Sequence, residues 1–112
     1  MTVDELWDVI NATLAELPDE IRARLQYTVI AVDDGPPGNL LGLYEGVPES
    51  VGTYAHLDTI TLYKQTLERQ AASPDELRLL VRETLLHEIG HHFGLNEDEV
   101  RRATYGAPPD PP

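Results

Sequence analysis

The sequence predicts a single α+β domain in which a small β-sheet is combined with one dominant helix. This prediction rests on one long segment with helical spacing of its apolar residues, 73–93, and on two short segments rich in β-branched residues, 26–32 and 58–63. A chain of 112 residues can build one hydrophobic core of modest size. We therefore expect one domain over residues 1–106, followed by a disordered, Pro-rich tail over residues 107–112.

Two helices are predicted in the N-terminal part of the chain. The segment from Thr2 to Pro18 carries apolar side chains at intervals of three and four, and Glu5 completes a capping box with Thr2. Pro18 ends this helix because proline has no backbone N–H to donate within a helix. Residues 19–25 are expected to form a short second helix that is capped near Asp19.

The strands are predicted in the middle of the chain. Residues 26–32 have the β-branched and aromatic composition of a strand, and the turn sequence DDGPPGN follows them. A short strand is expected around residues 41–44, within a glycine-punctuated loop. In residues 58–63 the apolar side chains of Ile60 and Leu62 alternate with threonines, which indicates a half-buried or edge strand. The next segment, QTLERQAA, is expected to form a helical turn.

The long helix is predicted to run from a strong start signal to a glycine. Ser73 has the position of an N-cap, with Pro74 at the first helical position and Glu76 at the third. Gly94 follows the last periodic residue and is expected to end the helix in a left-handed conformation. Four apolar residues recur at intervals of four along one face of this helix: Leu77, Val81, Leu85 and Ile89.

The composition argues against several classes of partner. Acidic residues outnumber basic residues by 20 to 8, and the formal net charge is −12. Nucleic acid is not an expected partner, because binding its backbone requires clustered Lys and Arg. No apolar segment approaches the roughly 18 residues of a membrane span, and the acidic N-terminal segment does not resemble a signal peptide. We expect a soluble, cytoplasmic, monomeric protein with no membrane partner.

A candidate metal site lies in the segment LHEIGHHFGLNEDE, residues 86–99. His87 and His91 are four residues apart, so a helix presents both imidazoles on one face, where they can bind one zinc ion. Glu88 is rotated about 100° from His87 around the helix axis and is expected to flank the metal as a general base. This His-Glu-x-x-His spacing is typical of zinc metalloproteases. Because the chain has no cysteine, His and carboxylate side chains must hold any metal.

The third ligand is expected from the segment that follows the long helix. A break at Gly94 lets the chain turn back toward the metal, where Glu97 or Asp98 can supply a carboxylate. Three protein ligands leave the fourth position open for water, which is the arrangement of a catalytic zinc site. The same acidic residues also suit the first turn of a last short helix, predicted from Asn96 to about Thr104.

The sequence resembles the small bacterial zincin-like (matrix-metalloprotease-like) metallopeptidases in three segments, LLGLYEGVP, ITLYKQTLER and TLLHEIGHHFGL. The resemblance implies a minimal zincin-like fold, a small mixed β-sheet packed on the long motif-bearing helix, with His87 and His91 as zinc ligands and Glu88 as the base. The family's third ligand is usually an aspartate three residues after the glycine. That position is Glu97 here, which we favour for its register, with Asp98 as the alternative.

The sequence departs from the metzincin pattern in one respect, and its other histidines and its tyrosines remain to be placed. Metzincins place a methionine-containing turn beneath the zinc, but the chain's single methionine is Met1, so no Met-turn is expected. His92 faces about 100° away from His91 and is expected beside the site or at the surface. His56 is expected at the surface. One tyrosine can donate a hydrogen bond to the oxyanion of the reaction, with no preference among Tyr44, Tyr54, Tyr63 and Tyr105.

The expected function is zinc-dependent hydrolysis of peptide bonds, with Glu88 as general base and a peptide or small protein as substrate. An extended substrate is expected to pair with the strand at residues 58–63. Two alternatives stay open at this point. The chain can be a non-catalytic, zinc-stabilised protein-interaction module, or a latent zincin that needs a partner to complete its substrate cleft.

Overall fold

The computed structural model describes residues 1–36, 38–46 and 58–94, and these ranges form an α+β fold. The predicted fold class is therefore confirmed, including the long helix that carries the motif. In chain order the elements are α1 (Val3–Ala15), α2 (Asp19–Arg24), β1 (Thr28–Asp33), β2 (Gly42–Glu45), β3 (Asp58–Tyr63), α3 (Lys64–Gln70) and α4 (Pro74–His92).

The three strands form one mixed sheet with the order β1-β3-β2. Strand β3 pairs in parallel with β1, where Ile60 lies opposite Ile30, and antiparallel with β2, where Ile60 lies opposite Tyr44. The edge alternative for residues 58–63 is therefore wrong, whereas the half-buried alternative fits Thr59 and Tyr63, which are partly exposed. The threonines suggested an exposed edge, but threonine is β-branched and packs well within a sheet, and Thr61 is buried.

Helix α4 begins and ends where the sequence predicts. The Ser73 hydroxyl accepts a hydrogen bond from the Glu76 backbone N–H, with Pro74 at the first helical position. At the other end Gly94 has φ of 76°, a left-handed conformation that glycine adopts without steric cost. The helix packs against α1, β2 and β3. The buried core comprises Leu6, Ile10, Ile60, Leu62, Leu67, Leu77, Val81, Leu85 and Ile89.

The N-terminal helices differ from the prediction in one detail. The capping box of α1 is present, since the Thr2 hydroxyl and the Glu5 carboxylate each accept the other residue's backbone N–H. Helix α2, in contrast, has Pro18 at its N-cap and no side-chain cap. Asp19 lies inside the first turn, and its carboxylate forms an ion pair with Arg22 one turn ahead instead of capping the helix.

The two shortest elements predicted in the middle of the chain are present. The segment expected as a helical turn is the seven-residue helix α3, and the short strand predicted around residues 41–44 is β2. The last short helix and the Pro-rich tail lie outside the described residues. Within the three ranges given above, no helix is both long enough and apolar enough to cross a membrane.

Candidate metal site

The last two turns of α4 bring the three motif residues together. The imidazole rings of His87 and His91 have centroids 4.6 Å apart and planes inclined at 81°, and their Nε2 atoms are separated by 3.0 Å. One donor atom from each of His87, Glu88 and His91 lies within 4.8 Å of the other two. The helical spacing of four residues thus directs both imidazoles, and the neighbouring carboxylate, to one point.

This donor set fits a zinc ion. Two nitrogens bound to tetrahedral zinc at 2.0–2.1 Å lie about 3.3 Å apart, so the observed separation of 3.0 Å needs only a small opening. Two imidazoles and a nearby carboxylate are also donors that zinc accepts. The three residues form a group that can hold a metal ion.

The site lies in an open cleft of about 610 Å³. One wall comes from β2 and the residues before it, and the other comes from the end of α4. Glu88 is buried, with 8% of its surface exposed, whereas His87 and His91 are half-buried. The lining residues are Leu40, Gly42, Leu43, Tyr44, His87, Glu88, His91 and Gly94.

A glycine on β2 allows the strand to approach the motif helix closely. A Cβ atom at Gly42 would lie 2.8 Å from Thr84 Cγ2 and 3.3 Å from Glu88 Cγ. The first distance is shorter than carbon atoms tolerate, so any larger side chain would push β2 away from α4. Gly42 therefore sets the width of the cleft beside the Glu88 carboxylate.

Behind this wall lies a buried polar cluster that joins β2, β3 and α4. His92 Nδ1–H donates to Asp58 Oδ2 at 2.8 Å, and the Tyr44 hydroxyl donates to the same oxygen at 2.9 Å. Asp58 and His92 are each 7% exposed. Burial, together with the hydrogen bond to Asp58, raises the pKa of Tyr44 well above its usual value. The surface alternative for His92 is therefore wrong, because this residue is buried.

The sequence did contain signals for this cluster. Asp58 is in phase with Ile60 and Leu62 on β3, and His92 falls on the same face of α4 as Leu85 and Ile89. A polar residue in register with a buried apolar face predicts a buried partner. The sequence thus marks Asp58 and His92 each as needing a buried partner, without identifying that partner.

The remaining predicted residues have different outcomes. Glu97, Asp98 and His56 lie outside the described residues, so the choice of third ligand stays a prediction. Tyr44 lines the cleft, but its hydroxyl is directed to Asp58. Sequence reasoning missed Arg24, whose guanidinium lies 4.7 Å from the centre of the Phe93 ring at the end of α4. Long-range contacts of this kind leave no mark in local spacing.

A family model described as zincin-like metallopeptidase matches residues 20–107, which is most of the chain and includes the whole of α4. A search of curated proteins gave no match. The match extends over β1, β2 and β3 as well as the motif, so it rests on more than the His-Glu-x-x-His spacing. The chain belongs to the zincin-like metallopeptidase family.

Proposed function

We propose that this protein is a zinc-dependent metallopeptidase that hydrolyses peptide bonds. The observation that carries the proposal is the convergence of His87, Glu88 and His91 in an open cleft, with their donor atoms within 4.8 Å of one another. Membership of the zincin-like metallopeptidase family supports it. We further infer that the protein acts as a cytoplasmic monomer on a peptide or small-protein substrate.

His87 and His91 would hold the zinc ion through their Nε2 atoms, which already face each other. The third ligand is proposed to be Glu97, with Asp98 as the alternative, because both follow Gly94, whose left-handed conformation ends the helix. When bound, zinc polarises a carbonyl group and lowers the pKa of water toward about 7. Two imidazoles and one carboxylate leave a position for that chemistry.

Glu88 is proposed as the general base. Its carboxylate lies beside both imidazoles and is mostly shielded from bulk water, so a proton that it accepts is retained close to the reacting groups. Glu88 takes one proton from the attacking water while the water oxygen bonds to the carbonyl carbon. It then delivers this proton to the amide nitrogen as the carbon–nitrogen bond breaks, which releases the amine.

The substrate is proposed to bind along β2 and not along β3. Strand β3 has hydrogen-bonded neighbours on both sides, whereas β2 pairs only with β3 among the described strands. Gly42, Leu43 and Tyr44 of β2 also line the cleft. An extended peptide that pairs with β2 would gain backbone hydrogen bonds and would pass beside the motif. This replaces the sequence-based expectation of pairing with residues 58–63.

The test combines metal content with peptide hydrolysis. Zinc per chain is measured by elemental analysis for wild type, His91→Ala and Glu88→Gln, and cleavage of a broad peptide library is followed by mass spectrometry. We expect one zinc in wild type and in Glu88→Gln, little in His91→Ala, and a loss of hydrolysis of about 100-fold or more in Glu88→Gln. Glu83→Gln, the same chemical change on the same helix outside the cluster, is the matched control.

The outcomes separate the candidate functions. Turnover retained in Glu88→Gln would refute the assignment of the base. A wild type that binds zinc, cleaves no library peptide and unfolds when a chelator removes the metal would instead be a zinc-stabilised interaction module. The buried core includes neither His87 nor His91, and it therefore predicts that the metal-free protein stays folded. Cleavage only after a partner is added would identify a latent enzyme.

A further inference from the structure

A single buried carboxylate connects the two walls of the cleft. Asp58 begins β3, the central strand, and its Oδ2 accepts hydrogen bonds from Tyr44 on β2 and from His92 at the end of α4. We call these three residues the Asp58 cluster. The rings of Tyr44 and His92 also make an edge-to-face contact, with centroids 5.9 Å apart. Three elements that are distant in sequence therefore meet at one oxygen atom.

The other oxygen of the same carboxylate is enclosed by backbone. A Cβ atom placed on Gly46 would lie only 2.2 Å from Asp58 Oδ1, and Gly46 has φ of 149°. The chain directly after β2 is therefore folded against the carboxylate, and only glycine fits there. The Gly46 backbone therefore borders Asp58 Oδ1 on one side, while Tyr44 and His92 hold Asp58 Oδ2 by hydrogen bonds.

The two donors of the Asp58 cluster lie at the end of α4 and in the wall of the cleft. His92 is the last residue of α4, directly after the proposed ligand His91 and two residues before the left-handed turn at Gly94. Tyr44 is part of the cleft wall on which the substrate is proposed to lie. Fixing His92 sets the direction in which the chain leaves the helix, and fixing Tyr44 sets the distance of β2 from the metal site.

We propose that Asp58 is a positioning residue that holds the metal-binding end of α4 and the substrate-facing strand β2 in a fixed relation. The proposal rests on the proposed function, because it concerns the same site. Hydrogen bonds suit this task better than apolar contacts because they fix orientation as well as distance. A buried carboxylate is costly unless it is paired, so its burial at this junction of elements needs such a reason.

The experiment removes the two hydrogen bonds of the Asp58 cluster separately. We call the bond from His92 to Asp58 the zinc-binding arm and the bond from Tyr44 to Asp58 the substrate arm. His92→Phe and Tyr44→Phe each keep an aromatic ring and remove one donor to Asp58, and Asp58→Asn removes the charge at the centre with little change in size. Zinc affinity is measured by competition with a chromophoric chelator, and amide hydrogen exchange is measured on the metal-free proteins. KM and kcat are measured with a peptide that the wild type cleaves.

Each arm has its own expected result. His92→Phe should weaken zinc binding about tenfold or more and speed amide exchange in the last turn of α4. Tyr44→Phe should leave zinc affinity within about twofold and raise KM about threefold or more, with little change in kcat. Asp58→Asn should show both effects. If His92→Phe does not fold, Asp58→Asn decides the zinc-binding arm.

A matched control separates positioning from stability. Thr13→Val removes a buried hydroxyl that donates to the Val9 carbonyl at 2.8 Å on α1. It should lower the free energy of unfolding without changing zinc affinity or KM. The proposal is overturned if the cluster variants behave in the same way, with zinc affinity, KM and amide exchange at the end of α4 all unchanged. A wild type that binds zinc but cleaves nothing would refute only the proposed function, since zinc affinity still tests the zinc-binding arm.

Discussion

Tyr44 shows how one residue serves both packing and the site. Its ring forms part of the cleft wall, while its hydroxyl is directed inward to Asp58 at 2.9 Å. Ionising this hydroxyl would place a second negative charge beside a buried carboxylate, so burial and Asp58 both raise its pKa in the folded protein. In the unfolded chain the same group ionises near its ordinary pKa of about 10.

This difference predicts a specific loss of stability in alkaline solution. Because the folded pKa is the higher one, the Tyr44 contribution is complete below about pH 10 and decreases as pH rises toward the folded value. The free energies of unfolding of wild type and Tyr44→Phe, measured with urea, should therefore differ most at pH 8. This gap in stability should narrow at pH 10.5 and above. A gap that stays constant over this range would show that the Tyr44 pKa is not raised by folding.

The site is predictable from the sequence where its residues are close in the chain. His87, Glu88 and His91 follow from helical spacing alone, and the structure brings their donor atoms together. The pairing of Asp58 with His92 spans 34 residues, and no local rule brings two elements together over that distance. Each of these polar residues is in register with buried apolar residues and therefore needs a buried partner. Only the packing of α4 on β3 identifies that partner.

At the scale of elements, helix α4 was predictable because its ends are encoded locally. Ser73, Pro74 and Gly94 act on the backbone within one turn, so their effect does not depend on tertiary packing. The order of the strands was not predictable in the same way. Strand β3 follows β2 in the chain yet lies between β2 and β1, because sheet order depends on which strand packs best in the centre of the folded sheet. Composition alone does not determine that.

The cap of α4 yields a prediction at this scale. The Ser73 hydroxyl satisfies the Glu76 backbone N–H at 3.1 Å, so Ser73→Ala should lower the free energy of unfolding by about 1 kcal/mol. In a domain of this size the melting temperature should fall by about 5 °C. Zinc affinity should stay unchanged because the cap lies at the opposite end of the helix from His87 and His91. Ser73→Asp, which keeps an acceptor, should restore most of the stability; no recovery would argue that the hydroxyl does not act as a cap.

At the scale of the whole molecule, the net charge is strongly negative. The 20 acidic and 8 basic residues give a net charge of −12, and several of the basic side chains are already engaged with carboxylates, as in the pairs Arg82–Glu16 and Arg78–Asp75. Such a charge distribution produces a negative potential that extends well beyond the surface. A substrate that approaches the cleft meets this potential before it meets the site, whatever residues finally bind it.

This potential predicts that cationic peptides are better substrates than anionic ones, through KM and not through kcat. Steering acts on association and leaves the bond-breaking step unchanged, so two peptides with the same cleaved bond and opposite flanking charges should share kcat and differ in KM. The difference should shrink as ionic strength rises from about 0.01 M to about 1 M, because the screening length falls from about 30 Å to about 3 Å. Arg82→Ala removes a positive charge from α4 outside the cleft, so it should slightly increase the difference in KM between the two peptides at low salt. A preference that survives high salt would instead come from direct contacts in the cleft, and the acidic surface would then have no part in substrate choice.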